Sequence, residues 1–342
     1  MKHLADWLER HQLIAFFVLT FAITWGLGFS YPAVYKGQIL LAPLVFIATC
    51  GPALAGIIIS ATINTQPRQG NKRTFWIAFL VAWIVSLLVF LANNTFINHA
   101  PLSPIMIGFT IVVVIPVAFV ISMAYSRIST VKNYLSSLVR LRPVWGWALL
   151  AAFWMPVLSL IAFLIEDQRG NFSLPSYGIP ETGLALIGII TVKFLYQLFF
   201  FNATGEECGW RGFALPRLQA RISPLVACLI LNVFWPIWHL FLWMAEGKPI
   251  TSPEYWAQTY LTHLSATVTI SWFYNRSKGS ILIAGIVHAA GNTAFAFFPN
   301  LDWATYNWIA GVSALALILL DRMWKKLPPN HLAVYQAPEP AG

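Results

Sequence analysis

Apolar runs of about eighteen residues or more recur along the whole chain, the first beginning near residue 13 and the last ending near residue 321. A helix of that length crosses the hydrocarbon core of a bilayer, so lipid is the solvent for most of this chain. There each backbone polar group needs a partner inside the protein, which leaves helices or a closed barrel. The runs are continuous and lack the two-residue alternation of barrel strands. An all-α polytopic membrane protein is therefore expected. Composition agrees: 10% of the 342 residues are charged, against about 25% in soluble domains.

The pattern predicts about ten spans, over residues 13–31, 40–62, 74–92, 104–124, 145–165, 184–205, 224–244, 256–274, 279–298 and 305–321. Lys and Arg fall seventeen on one side of this arrangement and three on the other (Lys36, Arg169 and Lys248), with Lys193 alone inside a span. Positive loops stay cytoplasmic, so both termini are expected there. Topology and the anionic leaflet account for the net charge of +9, and no nucleic-acid partner is implied. Cys50, Cys208 and Cys228 stand at no metal-ligand spacing and suggest no disulfide framework. Asp6 and Glu9 interrupt the basic start that a cleaved signal would need, so the first span is expected to remain.

Three parts are expected. Residues 1–143 form a four-span scaffold without interior ionisable groups, ending in a basic linker at 125–143 that can lie on the membrane as an amphipathic helix. Residues 144–326 carry the chemistry, and 327–342 form a disordered Pro-rich tail.

Ionisable groups in or beside a span are costly, so each asks for a reason. Glu207 and Arg211 are four apart, the spacing at which carboxylate and guanidinium meet on one helix face. That pairing leaves Glu206 free to take a proton from water. Read alone, the two acids can equally be helix-end groups reaching cytoplasmic water. His239 lies in Trp235-Pro236-Ile237-Trp238-His239, where Pro236 removes a helical hydrogen bond and Trp235 can pack on the imidazole. His288 and Asn292 share a helix face flanked by Gly285 and Gly291, a donor pair for an oxyanion or else an interhelical clamp. Glu206, His239 and His288 could alternatively hold a divalent metal such as zinc. His263 reads as a hydrogen-bonded packing residue, Lys193 has no assigned role, and Cys208 lacks a neighbouring histidine that would make it a nucleophile.

Together these segments resemble the CPBP intramembrane protease family, which includes type II CAAX prenyl endopeptidases and bacteriocin-processing (Abi-like) or self-immunity proteins. The Glu-Glu-x-x-x-Arg motif stands at Glu206–Arg211, the aromatic-x-x-x-His motif at Trp235–His239 (Phe is commoner at the first position), and His-x-x-x-Asn at His288–Asn292. The resemblance covers roughly residues 145–300 and leaves the first four spans outside. It implies a CAAX-protease-like helical bundle in the bacterial plasma membrane that cuts a peptide or protein substrate near the cytoplasmic face. Water would be activated by Glu206 and His239, and the oxyanion held by His288 and Asn292. Metallo- and glutamate-type catalysis both stay open. A non-catalytic scaffold of the same fold is the first rival. A transporter is the second, though no matched pair of Gly- or Pro-broken spans supports it.

Overall fold

Serine followed by proline opens three of the helices. Ser103, Ser223 and Ser252 each accept a backbone N–H of the first turn, from Met106, Val226 and Tyr255, while the proline occupies a position whose N–H would be orphaned anyway. Ser280 and Asp302 cap two more helices in the same way. The computed structural model describes residues 2–36, 41–64, 66–68, 70–140, 145–168, 183–298 and 301–336.

In chain order the helices are α1 (Lys2–Arg10), α2 (Gln12–Gly28), α3 (Tyr31–Tyr35), α4 (Ala42–Thr49), α5 (Gly51–Thr62), α6 (Lys72–Phe96), α7 (Pro104–Val113), α8 (Ile115–Met123), α9 (Ser129–Leu135) and α10 (Trp145–Gln168). Then come α11 (Leu184–Gln197), a π-helical stretch (Leu198–Ala214), α12 (Leu215–Gln219), α13 (Pro224–Trp238), α14 (Leu240–Ala245), α15 (Pro253–Arg276), α16 (Ile281–Phe297) and α17 (Trp303–Leu320). The chain is an integral membrane protein of helices. Large apolar side chains face outward along the periphery, among them Leu80 and Leu88 on α6, Leu149 and Phe153 on α10, and Trp308 and Val312 on α17. Exposed in water they would be a liability; against acyl chains they are the expected surface.

The count of ten spans is not reached on length and apolarity. Among the described residues seven helical segments qualify, or eight if the α4–α5 pair, bent by 62°, counts as one. The ninth expected span, α16, has only 17 residues, and the eighth, α15, is rich in Thr, Ser, Gln and Tyr. α16 and the second half of α15 are buried in the bundle, so neither needs a fully apolar surface there.

Two other expectations change. The linker at 125–143 does form helix α9, but Val131 and Leu135 are buried and the Tyr134 hydroxyl donates to the Cys208 carbonyl at 2.6 Å. Its apolar face finds protein rather than lipid; Arg142 and Pro143 lie outside the described residues. The tail was expected to be disordered, yet residues 327–336 dock on the bundle. The Gln219 side chain donates to the Ala333 carbonyl at 2.8 Å, and the Tyr335 N–H donates to the Pro216 carbonyl at 3.1 Å. Ala333 and Val334 are buried there, and that burial repays the ordering of a Pro-rich segment. Residues 337–342, with Pro338 and Pro340, lie outside the described residues, as does Arg169.

The first helices pack directly on the motif-bearing ones. A Cβ at Gly209 would fall inside Pro52 at the start of α5, so only glycine lets the π stretch lie against that helix. The Trp238 indole N–H donates to Thr24 Oγ1 on α2 at 2.8 Å, tying α13 to the N-terminal part.

Candidate active site

α11, the π stretch and α12 run on as a single apolar rod from Leu184 to Gln219. This corrects the expected end at residue 205. A reading by hydropathy stops at Glu206-Glu207, but Glu207 is paired and Glu206 is held by the Trp235 N–H inside the protein, and the helix continues. Glu206 therefore lies thirteen residues before the rod's end at Gln219, roughly 20 Å deep at a helical rise. His239 follows Pro224, the start of the next helix, by fifteen residues and lies at a similar depth. The rod and α13 are joined by the short turn at 220–223, so equal depths bring the two side chains face to face. Arg211 and Arg217, counted above as loop cations, are 1% and 7% exposed within the rod.

The stretch around the glutamates winds more widely than an α-helix. The Leu215 N–H reaches back to the Trp210 carbonyl, and the Thr204 hydroxyl donates to the Phe199 carbonyl five residues earlier. More residues per turn mean less rotation per residue, so Glu206 and Glu207 can both stay buried, at 4% and 0% exposure. The rod approaches α16 where a Cβ at Gly285 would lie 2.6 Å from the Ala203 Cβ, a close approach that the glycine permits.

Glu207 sits in an ion-paired knot. Its Oε1 accepts from Arg211 Nη1 at 3.0 Å and lies 2.8 Å from His288 Nδ1. The guanidinium also stacks 4.7 Å from the Trp235 ring centroid. Glu207 Oε2 and Arg211 Nε and Nη2 are buried without a protein partner among the described residues.

Glu206 has a different environment. Its Oε2 accepts from the Trp235 indole N–H at 2.6 Å and lies 3.8 Å from His239 Nε2. That second separation is too long for a hydrogen bond and suits two groups that share one small molecule between them. The break at His239 sets up the imidazole. Its backbone N–H bonds to the Pro236 carbonyl at 3.1 Å, and its ring Nδ1 lies 2.9 Å from the Trp235 carbonyl. A carbonyl only accepts, so Nδ1 carries the hydrogen and the Nε2 lone pair points at Glu206. Trp235 was expected to pack on this ring. It does lie against it, tilted by 51° with 6.0 Å between centroids, and it also donates to Glu206, while Trp243 stacks on the imidazole at 5.2 Å and 10°.

His288 and Asn292 share one face of α16, as expected. The His288 ring stands edge-on to Trp235 at 5.2 Å. Asn292 is partly exposed and makes no hydrogen bond among the described residues. The sequence reading missed the position of His263 on α15. Its Nδ1 lies 2.8 Å from the Thr259 carbonyl, and its ring is 5.0 Å from Trp235 and 5.4 Å from His239. Only the packing of α13 on α15 brings it there, and no local spacing reports that packing.

Among the described residues, no three His, Cys, Asp or Glu side chains form a group able to hold a metal ion. Glu206, His239 and His288 do not stand as such a group: Glu206 lies against His239, and His288 gives Nδ1 to Glu207 with Nε2 left over. All three cysteines are free and buried. Lys193 stays on the rod's outer half with its Nζ 5.7 Å from the Tyr196 ring, remote from these contacts.

Residues 188–294 match the family described as type II CAAX prenyl endopeptidase Rce1-like. The match contains all three motifs and is shorter than the 145–300 expected. A curated relative, CAAX prenyl protease 2 of Methanococcus maripaludis, is 29% identical over 139 residues, which cover 39% of this chain and 50% of that protein. The chain thus spans half the length of that relative. The similarity to CAAX prenyl endopeptidases rests on this central segment, and the helices before it pack around it.

Proposed function

We propose that this chain is an intramembrane endopeptidase of the CAAX type, hydrolysing a peptide bond through a water activated by Glu206 and His239. The observation that carries the reading is the apposition of Glu206 Oε2 and His239 Nε2 at 3.8 Å, each fixed from behind by Trp235. The indole N–H orients the carboxylate and the Trp235 carbonyl orients the imidazole. A water held between them loses its proton to Glu206 as it attacks the scissile carbonyl. With Nδ1 turned to Glu207, His288 keeps Nε2 on the side left for substrate, and Asn292 one turn away offers a neutral donor to the developing oxyanion. Glu207 and Arg211 position His288 and touch no reacting atom.

The substrate class follows from likeness to the Methanococcus relative: a peptide ending in a CAAX sequence with a prenylated cysteine, presented at the membrane. Bacteriocin-related processing is the alternative within the same chemistry. The Lys and Arg distribution supports cytoplasmic termini and, with them, a cytoplasmic loop around Arg68. A cysteine at Arg68 should be labelled only from within the cell and one at Asn98 only from outside; the opposite pattern rejects the orientation.

The direct test is cleavage of prenylated and unprenylated peptides by the purified chain in detergent, beside Glu206→Ala. Cutting of the prenylated peptide, lost in the variant, is expected. No cutting of either peptide would sink the protease reading, and equal cutting of both would turn it away from CAAX substrates. A chelator arm addresses the metal: activity lost on chelation and restored by zinc would reject the metal-free version.

A further inference from the structure

On the basic side of the molecule the ends of several helices enclose a cavity of about 630 Å³. Arg140, Arg217 and Lys278 line it, with the hydroxyls of Ser129, Ser136 and Tyr274, and among the described residues no Asp or Glu does. Arg217 is only 7% exposed, yet among the described residues the groups it bonds to and stacks on are neutral. Its Nε donates to Gln12 Oε1 at 2.6 Å and its Nη1 to the Phe213 carbonyl at 2.9 Å. The guanidinium lies 3.5 Å from the Phe213 ring and 4.0 Å from the Tyr335 ring. Arg140 Nη2 donates to Ser136 Oγ at 3.3 Å. Among the described residues none of the three cations makes an ion pair. Glu9 lines a separate cavity of about 140 Å³ beside Arg217 and does not pair with it either.

A buried guanidinium without counter-charge is costly, and a fold keeps one at little cost only if an anion arrives. Three cations of unlike reach, with hydroxyl donors between them, suit an anion presenting several oxygens in different directions. Arginine's planar fork is the favoured partner of such a group. The docked tail forms one wall: Leu332, Val334 and Tyr335 line the cavity, and the Tyr335 ring packs on Arg217. Arg217 lies eleven residues beyond Glu206 along the rod, roughly 16 Å at a helical rise, so the cavity is separate from the candidate active site.

We propose that this cavity binds a phosphate group, delivered by the headgroup of an anionic phospholipid in the adjacent leaflet or by a soluble phosphate compound. The inference does not depend on the protease reading.

The test uses the full chain. In detergent, Tm is followed against inorganic phosphate, with chloride at equal ionic strength as control. In nanodiscs, Tm is compared between phosphatidylcholine alone and phosphatidylcholine with phosphatidylglycerol, and native mass spectrometry counts retained phospholipid. The exposed rim cations supply the variant, Arg140→Gln with Lys278→Gln, whose Tm without phosphate should match the parent. Loss of each cation should weaken binding by about tenfold. A rise in Tm with inorganic phosphate that the variant loses supports a soluble source. A rise and lipid retention with phosphatidylglycerol alone, again lost in the variant, supports the headgroup. No response to either probe, or a response the variant keeps in full, overturns the proposal.

Discussion

Glu206 and Glu207 are adjacent in the chain and end in opposite surroundings. Around Glu207 the structure closes: Arg211 and His288 both engage one carboxylate oxygen, and the group is sealed from solvent. Around Glu206 it stays open, with a single neutral donor behind the carboxylate and an imidazole lone pair standing off at 3.8 Å. The first arrangement stores its charge in pairs and holds helices together; the second leaves a base with nothing to neutralise it. Buried charge in a membrane protein thus serves two ends, and the number of charged partners separates them.

The contrast can be broken from either side. The largest effect is expected on the open side. His239→Ala should lower turnover by about 10²–10⁴-fold, the usual contribution of a proton-handling group, with the protein still inserted and Tm little changed. A loss of only about twofold in peptide cleavage would remove His239 from the chemistry. On the closed side Arg211→Ala leaves a carboxylate buried with one histidine, and breaking such a pair costs about 3–5 kcal/mol. Tm should drop clearly and activity should fall with it; a variant with unchanged Tm and full activity would show that the knot holds nothing. The smallest effect is expected at the junction of the two sides. Trp235→Phe keeps the ring and removes the N–H that orients Glu206, so kcat should fall about tenfold with KM unchanged. A change confined to KM would mean that Trp235 contacts substrate instead.

Much of this contrast was legible in the sequence. The i, i+4 spacing of Glu207 and Arg211 predicted their pairing, and the same spacing placed His288 and Asn292 on one face. Pro236 signalled the break that frees the Trp235 carbonyl for His239. What spacing could not report was depth. Hydropathy ended the rod at the first charges, whereas partners inside the protein carry it on to Gln219 and bring Glu206 level with His239. The indole bond to Glu206, the stacking of Trp243 and the arrival of His263 all depend on how α13 meets the rod and α15. Those are contacts between segments far apart in the chain. The docked tail was illegible for a similar reason: its Pro-rich composition argued disorder, and only the surface offered by Pro216 and Gln219 makes order worthwhile.

The measurement that bears most directly on this account is a paired comparison of Glu206→Gln and Glu207→Gln, reading cleavage of a prenylated peptide and Tm on the same preparations. Glu206→Gln should keep the parental Tm and lose cleavage, because it removes a base that pairs with no cation. Glu207→Gln should melt well below the parent, because Arg211 and His288 lose their shared carboxylate, and any loss of activity should accompany that instability. If Glu206→Gln still cleaves at the parental rate, or if Glu207→Gln proves as stable as the parent, the division between an open base and a closed ion pair is contradicted.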